Sequence, residues 1–210
     1  MPSTYDLKQK FSSMLRPFTG WLVKRGVTAN GVTWAAVWLS VIYGAFIYFM
    51  PTVKLLFLLF PVMLLFRMAL NNIDGVIARE HNQKTALGGY LNEIGDVVSD
   101  IVLYLPFALV VGFIPEVVLA FVLSGMVAEF AGVLAHAQGK ERCYLGPVTK
   151  SDRALVMALL SLAIFIGLEN TMIINGVLLL VAAGSLYTMV KRVRYGTNDL
   201  PLQPGSGPNV

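Results

Sequence analysis

The sequence predicts an all-α membrane protein: six transmembrane helices preceded by an N-terminal amphipathic interfacial helix, with both termini cytoplasmic. Three observations carry that expectation. Hydrophobic residues make up 56% of the 210 positions and charged residues 13%, where a soluble domain carries about 25% charge. The apolar residues gather into six runs, each near the roughly 20 residues that carry a helix across about 30 Å of hydrocarbon. The basic residues collect on one side of those runs, as topology determinants do.

The leader comes first. Between residues 3 and 25, Leu7, Phe11, Met14, Leu15, Phe18 and Leu22 recur on one helical face, and Lys8, Lys10, Arg16, Lys24 and Arg25 occupy the remainder. Pro17 introduces a kink. Such a segment, bounded here as residues 1–27, reads as a juxtamembrane helix lying on an anionic leaflet. It lacks the short apolar core and small-residue cleavage site of a signal peptide.

The spans follow at 33–50, 55–78, 88–113, 116–137, 152–168 and 171–190. Pro51, Pro115 and the pair Glu169-Asn170 mark turns on one side. Arg79 and Lys84, then Lys140, Arg142, Lys150 and Arg153, then Lys191, Arg192 and Arg194 mark the other. Counting the leader, every one of the 16 Lys and Arg residues except Lys54 and Arg67 falls on that second side. The positive-inside rule makes it cytoplasmic. The expected domain therefore covers 28–196, a multi-pass membrane unit, and the Pro- and Gly-rich residues 197–210 read as a disordered tail.

Several function classes fall away. The net charge of +4 is spread between apolar runs, without the basic stripe and interleaved aromatics of a nucleic-acid binder, so no nucleic-acid partner is expected. A single cysteine, Cys143, allows neither a disulfide framework nor a thiolate zinc site.

Against that background one stretch stands apart. Asn71-Asn72-Ile73-Asp74-Gly75-Val76-Ile77-Ala78-Arg79 is followed, eight residues later, by Gly88-x3-Asn92-x3-Asp96-x3-Asp100. A charge in hydrocarbon costs roughly 2.5 to 3.5 kcal/mol on insertion scales, so intramembrane acids mark a functional site by default. At about 100° per residue, Arg67, Asn71, Asp74 and Ala78 share one face of the second span, and Gly88, Asn92, Asp96 and Asp100 form one stripe on the third. The short link between the spans makes them antiparallel neighbours, so Asn71, Asp74, Asn92 and Asp96 converge near the cytoplasmic end with Asp100 a turn deeper. Mg²⁺ favours a few carboxylates plus substrate phosphates, and such a cluster suits displacement at a diphosphate, with one carboxylate taking a proton from the attacking hydroxyl. Gly75 permits close approach, and the planar fork of Arg79 matches phosphate oxygens at the membrane surface. The same residues admit a plainer reading, with Asp74 and Asp96 paired to Arg67 or Arg79 as buried ion pairs. Arg67 reads as structural, held by Asp100 or by Glu129, and Glu129 and His136 share a helical face suited to interhelical contact. Lys150 and Arg153, at i,i+3, could share one anion or serve topology alone.

The stretch resembles the signature of the CDP-alcohol phosphatidyltransferases, D-x2-D-G-x2-A-R-x8-G-x3-D-x3-D, and in particular a bacterial branch with asparagine at the first and third aspartates, here Asn71 and Asn92. Thr28-Ala29-Asn30-Gly31-Val32-Thr33 is similar to the family's T-P-N-x-x-T, with alanine for proline. Gly146 to Arg153 resembles its G-K-x-x-T/R element. The resemblance implies transfer of a phosphatidyl group from CDP-diacylglycerol to a polar alcohol acceptor with release of CMP, among membrane lipids, in a homodimer using two divalent metals. It assigns Asp96 as metal-proximal general base and Asp74 as a metal and nucleotide contact. Gly75, Ala78, Arg79 and Gly88 take the nucleotide positions, and Lys150 and Arg153 the acceptor side. Asparagine ligates through a carbonyl oxygen without charge. Losing a carboxylate about 4 Å from a cation forgoes on the order of 4 kcal/mol per unit charge at a dielectric of 20. The expectation is one tight Mg²⁺ or Mn²⁺, or a second bound only with the donor's phosphates. A shifted register, with Asp96 and Asp100 as the third and fourth aspartates, would let Asp100 replace a missing ligand. A nucleotide-lipid binder without turnover is the non-enzymatic alternative; a prenyltransferase or an ion relay fits less well.

Overall fold

Most of the long helices begin where the sequence supplies a cap or a proline. The computed structural model describes residues 17–141, 143 and 145–198, and all regular structure among them is helical. A short helix, α1, covers 17–24. Then come α2 (Ala29–Phe49), α3 (Lys54–Glu80), α4 (Ala86–Tyr104), a 3-10 segment (Leu105–Leu109), α5 (Pro115–Ala137), α6 (Lys150–Phe165) and α7 (Thr171–Thr197). Thr28 accepts a hydrogen bond from Gly31 N at 3.1 Å and Thr85 from Gly88 N at 2.9 Å, satisfying orphan donors of α2 and α4. Thr149 and Asp152 form a reciprocal capping box on α6. Asn170 caps α7 through Ile173 N, and Pro115 opens α5.

Four helices, α2, α3, α5 and α7, are long and apolar enough to cross a membrane. The other two expected spans fall short for identifiable reasons. α4 carries Glu93, Asp96 and Asp100 within 19 residues. α6 has 16 residues, about 24 Å at 1.5 Å per residue. The third run also stops being α-helical earlier than its hydropathy suggests. Pro106 has no N–H and its ring crowds the preceding turn, so the chain tightens into the 3-10 segment and turns at Gly112, where φ is +92°. The last run goes the other way: α7 continues to Thr197, and Lys191, Arg192 and Arg194 lie on the helix instead of following it. Residues 1–16 of the expected leader and 199–210 of the expected tail lie outside the described residues.

α2 packs on α3 and α4, α3 also on α6, and α5 pairs with α7. Gly44 lets α2 touch the α4 backbone, because a Cβ there would run into the carbonyl of Val102. The apolar core occupies one end of the bundle. Phe57 and Phe60 of α3 meet Phe107, and Phe60 meets Tyr104, which in turn meets Phe121, all in edge-on ring contacts, with Phe60 and Phe107 centroids 5.0 Å apart. Along α4, the same helical face runs from Gly88 through Asn92, Asp96 and Asp100 to Tyr104, from polar to aromatic. This gradient leaves the polar groups at the end where α3 and α5 finish and α4 and α6 begin.

Candidate active site

The C-terminal turns of α3 and the first half of α4 bring most of the predicted residues to one place. Asn71 Nδ2 donates to Asp96 Oδ1 at 2.7 Å, joining the two stripes directly. Asp74 is buried and accepts from Thr33 Oγ1 of α2 at 2.7 Å. Its charge interacts with those of Asp96 and Arg79. Asn92, half-buried, stands one turn before Asp96 on α4. Thr33 lies in the segment similar to the family's helix-entry element, but spacing alone gave it no task.

The glycines are close-approach points. The Arg79 guanidinium folds back over Gly75, where a Cβ would sit 3.0 Å from Nη1. At Gly88 a Cβ would sit 2.7 Å from Asn30 Oδ1 of α2. Ala78 is half-buried, next to the exposed Arg79 and Glu80 that end α3. The link after α3 is tied to α2 as well, with Gln83 Oε1 accepting from Ala29 N at 2.9 Å.

Asp96 is the most heavily contacted acid. Its Oδ1 accepts from Asn71, receives Arg67 Nη2 at 3.3 Å, and is in contact with the Lys150 ammonium from the start of α6. All three donors use the same oxygen. Arg67 also bonds the Asp96 carbonyl at 3.1 Å. The Asp96 side chain is 22% exposed and Lys150 27%, whereas Arg67 is 5% exposed.

Behind this face lies a buried ionic belt. Arg67 Nη1 donates to Asp100 Oδ1 at 2.8 Å, one of the two partners its position suggested. Asp100 Oδ2 faces Arg153 Nη2 at 3.5 Å, Arg153 reaches Glu129 Oε1 at 3.2 Å, and Glu129 Oε2 meets Arg192 Nη1 at 3.2 Å. Arg192 also bonds the carbonyls of Ala128 and Leu145. The chain of contacts runs through α3, α4, α6, α5 and α7. Arg153 is thereby buried among acids, away from the half-open position of Lys150. His136 turns to the Lys140 carbonyl at 3.0 Å, a local contact. The belt was not legible in spacing, because Arg192 reads as one of three basic residues closing a span. Its one signal is the glycine opposite each arginine: a Cβ at Gly125 would lie 2.7 Å from Arg153 Nε, and one at Gly132 would lie 3.2 Å from Arg192 Nη1.

The donor set decides what ion the site suits. Among the described residues no three His, Cys, Asp or Glu side chains gather as a ready cage. Asp74 and Asp96 offer two carboxylates flanked by the amides of Asn71 and Asn92, which fits one hard cation completed by a ligand's phosphate oxygens. It does not match two ions held by protein alone.

Comparison with known proteins agrees with this architecture. The family model for CDP-alcohol phosphatidyltransferase matches residues 26–188. The chain is 47% identical over 166 residues to the inner membrane protein YnbA of Escherichia coli (strain K12), covering 77% of this chain and 80% of that one. Two crystal structures of the Mycobacterium tuberculosis phosphatidylinositol phosphate synthase PgsA1 share the fold at 20% identity. The form with CDP-DAG bound has a TM-score of 0.65 and covers 86% of this chain and 92% of the other. The form in complex with manganese and citrate gives 0.69, with 91% and 95% covered.

Proposed function

The chain belongs to the CDP-alcohol phosphatidyltransferase family, and on that footing we propose that it transfers a phosphatidyl group from CDP-diacylglycerol to the hydroxyl of a polar alcohol, releasing CMP, in phospholipid synthesis. The observation that carries this reading is the junction of Asp96 with Asn71 beside the Thr33-held Asp74, at the end of the bundle where Arg79 overlies Gly75. A structure of the related fold with CDP-DAG bound supports the donor, and YnbA, an inner membrane protein, supports the location. In this reading all six long helices cross the bacterial inner membrane, both termini and the site face the cytoplasm, and the chain acts as a homodimer. The basic residues at that end support the orientation.

The chemistry follows from what each side chain offers. Asp96 has Oδ1 taken up by three donors, so Oδ2 is the oxygen to accept the acceptor's hydroxyl proton. The alkoxide oxygen forms a bond to the phosphatidyl phosphorus as the bond to the CMP phosphate breaks. Arg79, folded over the side-chain-free Gly75, holds the diphosphate. Ala78 and Gly88 take the nucleotide side in this reading, with Asn30 packed close on Gly88, and Lys150, with Arg153 behind it, attracts an anionic acceptor. Asp74 and Asp96, with the Asn71 and Asn92 amides, would hold a single Mg²⁺ or Mn²⁺, which would supply positive charge to the diphosphate.

A second reading has one specific observation in its favour. Two neutral amides stand at Asn71 and Asn92, and Asp96 is already countered by Lys150, which suits a protein that binds a CDP-lipid without turning it over. CMP release by purified protein with CDP-diacylglycerol, Mg²⁺ or Mn²⁺, and a panel of plain and phosphorylated alcohols separates the two. Acceptor-dependent CMP supports the transferase. Metal-dependent donor binding with no CMP from any acceptor supports the binder.

A further inference from the structure

We propose that the Lys150 ammonium is a tethered cation standing where a second divalent ion would otherwise be needed, so that the site without nucleotide takes at most one. The inference rests on the metal-assisted reading above and concerns this chain's own residues toward that ion.

Three observations carry it. First, two of the three donors on Asp96 Oδ1 are cationic, Lys150 Nζ and Arg67 Nη2, and the third is the Asn71 amide N–H₂. A carboxylate can accept only from donors here, which fixes the amide with its nitrogen toward Asp96. An ion seeking that oxygen competes with all three.

Second, the charges already balance. Asp74, Asp96, Asp100 and Glu129 are the acids of the cluster, and Arg67, Lys150, Arg153 and Arg192 are the bases that pair with the last three. Asp74 is the acid held by a hydroxyl instead of a cation. A first divalent ion finds there the one carboxylate of the four that no ion pair holds. A second must displace an ammonium, and Coulomb repulsion at close range opposes it.

Third, the two cations on Asp96 differ in how firmly they are held. Arg67 is clamped by Asp100 and the Asp96 carbonyl and is almost fully buried. Lys150 has a flexible four-carbon stem, is 27% exposed, and extends from a helix start fixed by the Thr149–Asp152 capping box. It is anchored by its backbone and free to leave at its tip. A donor's diphosphate gives that tip a second anionic partner, releasing Asp96 for proton transfer.

The test is Mn²⁺ binding to the purified full-length chain in detergent, without nucleotide, at one fixed pH, read by titration calorimetry and by the loss of the free-ion paramagnetic signal. The wild-type chain is expected to bind no more than one Mn²⁺. Lys150→Met should tighten binding by about tenfold or more, Lys150→Arg should stay near wild type, and the Asn71→Asp/Asn92→Asp double variant should gain a second ion. Two Mn²⁺ on the wild-type chain overturn the proposal, as does a Lys150→Met affinity within twofold of wild type. Should Lys150→Met fail to fold, the wild-type stoichiometry still decides. CMP release from the same preparations keeps the two readings apart. Expected Mn²⁺ behaviour with no CMP leaves the tethered cation standing and removes the transferase. CMP release from a chain that binds two ions does the reverse.

Discussion

Asp96 and Asp100 are one helical turn apart on α4, carry the same group and both touch Arg67. They nevertheless belong to different regions. Around Asp96 the partners are mixed and partly open: an amide, an exposed ammonium, and one oxygen left over. Around Asp100 they are two buried guanidinium groups, and the pairing extends through Glu129 to Arg192. A displaceable arrangement suits chemistry, because a reacting group must exchange partners. A closed one suits construction, because buried charges that lose a partner are heavily penalised. Depth in the bundle makes the difference, since Tyr104 and the aromatic core begin one turn below Asp100.

The sharpest way to break this contrast is to neutralise each acid in turn. Asp96→Asn should lower CMP release by about a thousandfold, within the 10² to 10⁴ range of a lost general base, while donor binding changes little. Undiminished turnover would remove Asp96 from the chemistry. Asp100→Asn should act on the fold instead. It leaves Arg67 and Arg153 short of a partner, and a broken buried pair costs roughly 3–5 kcal/mol, read as a large drop in Tm in detergent. A variant that kept its Tm but lost all turnover per folded molecule would make Asp100 a ligand or base and merge the two regions.

Smaller changes sharpen the comparison from either side. Gly125→Ala inserts a methyl 2.7 Å from Arg153 Nε, an overpacking expected to destabilise by about 1–3 kcal/mol with metal binding untouched. Altered Mn²⁺ affinity in that variant would mean that belt and open face are coupled. Thr33→Val removes the hydroxyl that holds Asp74. It should weaken Mn²⁺ binding by about fivefold, near 1 kcal/mol, at nearly unchanged Tm. A stability loss without a metal effect would move Asp74 into the structural group.

The sequence carried the open face better than the closed one, and the reason is geometric. Period and spacing place Asn71, Asp74, Asn92 and Asp96 on facing stripes because all four lie on two adjacent helices. The belt draws one residue from each of five helices, and no periodicity within one helix reveals a partner on another. Arg192 shows this well: three basic residues after an apolar run look like a topology signal, and only tertiary packing turns one of them inward. The start of α5 was legible at Pro115, whereas α2 and α6 begin at their Thr28 and Thr149 caps, earlier than the runs from 33 and 152 suggested. Helix ends were less legible where hydropathy continued across Pro106. Arg67 was an exception, since its place four residues before Asn71 already pointed to a partner on the next helix.

The belt also has a consequence for how the chain is made. Synthesis proceeds from the N-terminus, so Glu129 of α5 is complete well before Arg192 of α7, its partner across the pair. Until the final helix arrives, α5 presents the insertion machinery with an acid whose charge is only half compensated. α7 therefore completes the pairing of Glu129 from 63 positions downstream. A chain that stopped short of Arg192 would leave Glu129 to Arg153 alone among the ion pairs of the belt.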